Sequence, residues 1–342
     1  MNTLIWGIVL ITAVWAAHWG AEQLGEPLAK LRSQLGLTQV AGAALVGLTA
    51  ASPEIGINTT SAIKQVADIG LGTMLGSNIV AIPLVVTTAY ITSRKTQLGK
   101  DNQANAGESV SEHRRHRRQK FMRIEKEAVT VQAIPYIGIV AVVALLTLPA
   151  PWRGLQPVDG WIMLAVYGVY LAQALLRGRR AGETSRWTKE ELFVAIAGVL
   201  ALAIGAYFTV TATENIVADF GIPEVIGGLF ITAPMAMLPE IFATWSIARS
   251  GQITTATASV IGDHAVTMTI AFFPLALAGV PISNLPLFST NLLFTGLVPT
   301  AYALFIHWGG PEHGILRWQV LALDSLILIY LAIVLVGILK VF

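Results

Sequence analysis

Two Pro-Glu pairs, Pro53-Glu54 and Pro239-Glu240, each stand far inside a long apolar stretch of the sequence. A carboxylate at bilayer depth costs roughly 2.5 to 3.5 kcal/mol on insertion scales, so such a side chain belongs in a protein interior or a watered cavity. Glu54 falls about 16 residues into its stretch, roughly 24 Å along a helix that rises ~1.5 Å per residue, and Glu240 lies about as deep in its own. Each proline removes a backbone donor and opens a carbonyl one turn earlier, which can add oxygen to a cavity. Acidic groups set among backbone oxygens suit a hard cation such as Ca2+, which takes about 6 to 8 oxygen ligands. A proton can occupy the same carboxylates.

The two pairs are related. Shifting the chain by 186 residues lays Ala51-Ser52-Pro53-Glu54-Ile55 on Met237-Leu238-Pro239-Glu240-Ile241, and the same shift lays Leu75-Gly76-Ser77-Asn78 on Ile261-Gly262-Asp263-His264. Two separated matches in one register indicate an internal repeat. The second copy therefore adds a third carboxylate, Asp263, and an imidazole, His264. Neighbours on a helix point about 100° apart, so these two cannot face one cavity centre in the same way. Ser77 and Asn78 can ligate an ion or hydrogen-bond between helices. Thr49 and Thr232, near the glutamates but turned around their helices, complete the candidate ligands.

The elements that must carry these residues are membrane helices. Of the 342 residues 54% are hydrophobic and only 12% charged, about half the share of a soluble domain. Apolar stretches of about 20 residues, long enough to cross a bilayer, are predicted at about 3 to 21, 38 to 63, 68 to 93, 128 to 148, 159 to 176, 190 to 212, 225 to 248, 253 to 280, 286 to 307 and 318 to 340. The first is read as a retained helix and not as a signal peptide, because no cationic start or cleavage site accompanies it. Ten spans sort 19 of the 22 Lys and Arg residues to one side, leaving Lys64, Arg153 and Lys340 on the other. By the positive-inside rule the basic side is cytoplasmic and both termini lie outside. The expected architecture is thus an all-α inner-membrane protein of ten helices in two five-helix repeats, 1–176 and 190–342, joined by a cytoplasmic linker 177–189. An offset of five helices makes the repeats inverted, the arrangement in which many secondary transporters hold substrate near the midplane.

The pattern resembles the two alpha-repeats of the cation/Ca2+ exchanger superfamily, a small-residue or Thr-Ser stretch ending in Pro-Glu and followed by Gly-Ser-Asn. The first copy matches at Pro53, Glu54, Gly76, Ser77 and Asn78, and the second at Pro239, Glu240 and Gly262. The resemblance implies that Glu54 and Glu240 are the central ligands of a transported divalent cation, with counter-ions using the same cavity in alternation. It also implies Ca2+ as the default substrate and Na+ or protons as counter-ion. Where the family carries Thr-Ser before Pro-Glu, this chain has Ala50-Ala51 and Ala236-Met237. Hydroxyls that would hold flanking Na+ are thereby missing, whereas imidazole titrates near neutrality and favours a proton or a different cation.

Other classes are poorly served. The chain has no Cys, no His-Glu-x-x-His, no Gly-x-x-x-x-Gly-Lys-Ser/Thr and no Gly-x-Gly-Asp, so thiolate metal sites, ATP-driven pumping and intramembrane aspartyl proteolysis lack their residues. No enzymatic activity and no resident cofactor are expected. The basic run His113 to Lys120 reads as a solvated loop or short amphipathic helix near anionic lipid, not as a nucleic-acid face. The expected partners are inorganic cations and the lipid bilayer. The alternatives are a cation/proton exchanger for an ion other than calcium and a transport-inactive sensor or scaffold on the same frame.

Overall fold

The computed structural model describes residues 3–25, 27, 30, 34, 47–95, 109–126, 128–176, 188–308 and 312–341. Helices occupy the described parts of the ten expected spans apart from a turn at Ala51 and the last one or two residues of the spans ending at 148, 280 and 340. They are α1 (Thr3–Glu22), α2 (Ser52–Ile63), α3 (Ala67–Lys95), then α4 (Val110–Gln119) in the polar segment, α5 (Ile134–Thr147), α6 (Pro157–Leu176), α7 (Lys189–Phe220), α8 (Glu224–Arg249), α9 (Ile253–Ala278), α10 (Leu285–Trp308) and α11 (Arg317–Ile338). Seven of them, α1, α3 and α7 to α11, are long and apolar enough to cross a membrane, and α5 and α6 are shorter apolar helices. The span predicted at 38 to 63 is described only from residue 47, and the linker 177–189 lies mostly outside the described residues.

Side-chain size explains which face of a helix is buried. On α7 the buried positions are mainly small or hydroxylated, including Gly198, Gly205, Ala206, Thr209, Ala212 and Thr213, while Leu192, Phe193, Ile196 and Leu200 are exposed. Hydrocarbon offers large apolar side chains an environment as good as the protein does, so small residues at the interface decide how closely backbones approach. A Cβ on Gly20 would stand 2.5 Å from the Gly198 carbonyl, and one on Gly205 2.5 Å from the Ala17 nitrogen, so α1 and α7 meet backbone to backbone. Large apolar side chains fill the remaining seams, as in the cluster of Ile57, Val66, Ile69, Ala206 and Val210.

The chain forms two compact units, each drawing on both sequence repeats. The first comprises residues 1–77, 143–236 and 262–282, and the second 78–142, 237–261 and 283–342. In the first, α2 packs on α7, and the last part of α9 packs on α2 and α6. The second contains a feature absent from the all-α expectation. Residues Phe121–Arg123 (β1) pair antiparallel with Gly314–Leu316 (β2), with Met122 opposite Ile315 and both buried. Strands of three residues are too short to show an alternating pattern in sequence.

The Pro-Glu pairs shape their helices differently. Pro53 sits in the opening turn of α2, with Ala51 N–H bonded to the Gly47 carbonyl and Ile55 N–H to the Ala51 carbonyl, both at 2.9 Å, and the Thr49 carbonyl that Pro53 leaves open accepts the Ser52 hydroxyl at 2.7 Å. Pro239 instead lies inside a helix that continues through it. In that copy the irregularity moves upstream, to a π-helical stretch at Gly228–Thr232 ahead of Pro234. A second π stretch, Thr267–Ala271, follows Asp263 and His264 on α9. Such widened turns re-satisfy backbone groups that proline leaves open and recur at functional sites.

Candidate cation-binding site

Glu54 stands in the first turn of α2, beside Pro53. Asp263 comes from the middle of α9. Both are 2% exposed. They belong to the first unit, and a carboxylate oxygen of each lies within 4.8 Å of the other. Oxygens no farther apart than about twice a calcium–oxygen bond of 2.3 to 2.6 Å can touch a single ion together. Two carboxylates so close at this depth need a cation or a shared proton between them. Glu54 Oε2 has no hydrogen-bond partner among the described residues, so one coordination position on this carboxylate is free of protein donors.

The other candidates are distributed as follows. His264, the next residue on α9, is 1% exposed. Ser77 is buried and donates to the Met74 carbonyl at 3.2 Å. Thr49 lies in the helical turn just before α2, with its hydroxyl buried and without a partner among the described residues. Thr232 closes the π stretch of α8 and shares a 2.7 Å hydrogen bond with the Thr213 hydroxyl. Asn78 belongs to the second unit, where its Oδ1 accepts the Tyr136 hydroxyl at 2.7 Å. Glu240 is also in the second unit, half-buried on α8. Asp324, a further acidic residue within a span, accepts the Thr87 hydroxyl at 2.8 Å and is thereby accounted for.

Two residues that the sequence reading passes over lie beside Glu54. Asn58 and Ser61 follow it one and two turns along α2, on the same face, and both are fully buried. Asn58 Nδ2 donates to the Ala271 carbonyl at 2.9 Å, while Asn58 Oδ1 and Ser61 Oγ have no partner among the described residues. Their spacing after a buried glutamate was the available signal. Tyr136, which holds Asn78, had none.

The pattern that defines the sodium/calcium exchanger protein family matches residues 4–176 and 191–341. The chain belongs to that family. No curated protein matches the sequence at a significant level. Among solved structures, the sodium-calcium exchanger NCX_Mj, soaked with Na+ and Sr2+, superposes with a TM-score of 0.60 at 17% identity, over 97% of this chain and 99% of its own. The H+/Ca2+ exchanger CAX gives 0.68 at 14% identity, over 97% of this chain and 80% of its own. At these identities the likeness establishes the fold: this exchanger is a multi-pass, ten-helix membrane protein built from two repeats.

Proposed function

We propose that this exchanger is a secondary antiporter that moves Ca2+ or another divalent cation by alternating access, against Na+ or protons. The carrying observation is the buried pair Glu54 and Asp263, whose carboxylate oxygens lie within 4.8 Å of one another, close enough for one ion to touch both. Glu240, the repeat counterpart of Glu54, is assigned as the third acidic ligand. Ser77, Asn78, Thr49 and Thr232 supply neutral oxygens or hold the acidic residues in place, and His264 offers an imidazole nitrogen beside Asp263. Membership of an exchanger family supports transport over enzymatic activity, and the basic loops support an inner-membrane orientation with both termini outside.

Coupling to protons is favoured over sodium by a specific feature. The flanking hydroxyls that the family uses are replaced by Ala50-Ala51 and Ala236-Met237, while the second repeat carries Asp263-His264. Both coupling modes occur among the solved relatives, as a sodium-calcium exchanger and an H+/Ca2+ exchanger. Calorimetric titration of the purified protein with Ca2+, Mg2+ and Mn2+ tests the ligand assignment. Glu54→Gln and Asp263→Asn are each expected to weaken binding of the preferred ion at least tenfold, about 1.4 kcal/mol. Wild-type affinity in both variants would sink the assignment.

A further inference from the structure

The second unit holds a cavity of about 120 Å³ between the end of α3, α4, β1 and the start of α9, and neither Glu54, Glu240 nor Asp263 lines it. Its walls carry Arg94, Arg117, Arg123, His113 and His116 against one carboxylate, Glu125. All the basic residues fall on the side that the Lys and Arg distribution marks as cytoplasmic. Ile253, Thr254 and Thr255, the first three residues of α9, close the cavity. The first turn of a helix brings the positive end of the dipole and backbone N–H groups without an intrahelical acceptor; here Ile253 N–H is taken by the Gly251 carbonyl at 3.0 Å and the Thr254 hydroxyl accepts the Glu125 N–H at 3.2 Å, which leaves that hydroxyl's proton to donate.

The basic residues are held in place. α4 starts with a capping box, in which the Ser109 hydroxyl accepts from the Glu112 N–H and the Glu112 carboxylate from the Ser109 N–H, and it ends at Lys120 in the left-handed conformation. Its His116 Nε2 lies 2.7 Å from Glu312 Oε2. Arg94 donates through Nη2 to the Arg117 carbonyl and lies over the Tyr90 ring, with Cζ 5.2 Å from the centroid. Its Nη1 is buried and has no hydrogen-bond partner among the described residues. A buried charged donor left unmade is expensive, so the site is incomplete without an acceptor.

We propose that this cavity binds an oxyanion of the phosphate class, either free phosphate or the phosphomonoester headgroup of an anionic lipid. Guanidinium forks, a helix N-terminus and the Thr254 and Thr255 hydroxyls match the oxygens of a tetrahedral anion. A water needs only about 10 to 15 Å³ of such space, so the cavity is large enough for a phosphate group. α3 and α9 both end or begin here, so the site sits where a membrane span meets the polar boundary and a headgroup can reach it. Bound anion would tie α4 and β1 to the start of the helix that later carries Asp263.

The test is binding by the full-length protein and does not depend on the antiport reading. Thermal unfolding in detergent is measured in sodium phosphate and in sodium chloride of equal ionic strength, and again in phosphatidylcholine nanodiscs with and without phosphatidic acid. Phosphate or phosphatidic acid is expected to raise the midpoint by about 2 to 4 °C over its control, and Arg117→Gln and Arg123→Gln to lose most of that rise. A rise only in the phosphate arm assigns a soluble ligand, and one only in the lipid arm assigns a headgroup. No rise in either arm, or an undiminished rise in both variants, overturns the proposal. Should the variants fail to fold, phenylglyoxal labelling of the wild type decides. Phosphate must protect Arg94 and Arg117 more than Arg153, and equal protection overturns the site.

Discussion

At the residue scale the central fact is that Glu54 and Asp263, far apart in sequence, present oxygens within 4.8 Å inside a membrane protein. Both were legible because a carboxylate in an apolar run has few structural uses. Neutral ligands are harder to read, since Asn and Ser serve equally as interhelical glue. Asn78 illustrates this: its Oδ1 accepts the Tyr136 hydroxyl, a partner that no spacing in the sequence indicates. Asn58 is a case where spacing alone carried a signal, because its Oδ1, without a partner among the described residues, lies one turn past Glu54. Replacing Asn58 with Leu removes that oxygen and the bond to Ala271. It is expected to lower stability by about 1 to 3 kcal/mol, read by thermal unfolding in detergent, and to weaken divalent binding less than Glu54→Gln does. Binding lost as completely as in Glu54→Gln would mean that Asn58 is itself a principal ligand.

At the element scale the helices follow from runs of about 20 apolar residues, which is why helices fall where the described spans were expected, although α7 runs eight residues past the expected 212, to Phe220. The π stretches were not, because a widened turn depends on which carbonyls a neighbouring helix leaves open. Close helix crossings were equally hidden. A Cβ on Gly72 would lie 2.2 Å from the Val225 carbonyl, and one on Gly228 2.2 Å from that of Ile69, so α3 and α8 touch through these glycines. Gly228→Ala is expected to destabilise the protein by about 1 to 3 kcal/mol, whereas Gly7→Ala, with open space around it, should be neutral; equal unfolding midpoints would contradict the crossing. α4 allows a pH prediction. Hydrogen bonds from the Ser109 backbone and side chain hold the Glu112 carboxyl below the ordinary glutamate range. His116, then Arg115, do the same for Glu312. These contributions are fully present above the ordinary glutamate pKa and disappear as pH falls through the lowered folded values. Hydrogen exchange in α4 should therefore stay slow into mildly acidic solution and accelerate only below that range. Ser109→Ala should accelerate it at neutral pH, by a loss of about 1 kcal/mol.

At the scale of the whole molecule, orientation is where sequence and structure meet most directly. In the first unit α7 carries Glu191 near one end, paired with Lys30 at 2.5 Å, and Glu214 near the other, paired with Lys64 at 2.6 Å. Thr3 donates to Asp219 at 2.8 Å, so the start of α1 lies at the Lys64 end. These contacts put Lys30 at one end of α7 and Lys64 and Thr3 at the other. Because the chain has no Cys, single cysteines report topology without background. Gly221→Cys is expected to react with an impermeant maleimide from outside right-side-out vesicles and Ala181→Cys only after permeabilisation; the reverse would invert the assignment. The central claim is coupled exchange, and flux of radioactive Ca2+ into proteoliposomes tests it most directly. An outward proton or Na+ gradient is expected to drive uptake above the gradient-free level, with protons the stronger driver, and Glu54→Gln to abolish it. Uptake that is equal with and without either gradient, or unchanged in Glu54→Gln, would contradict the account.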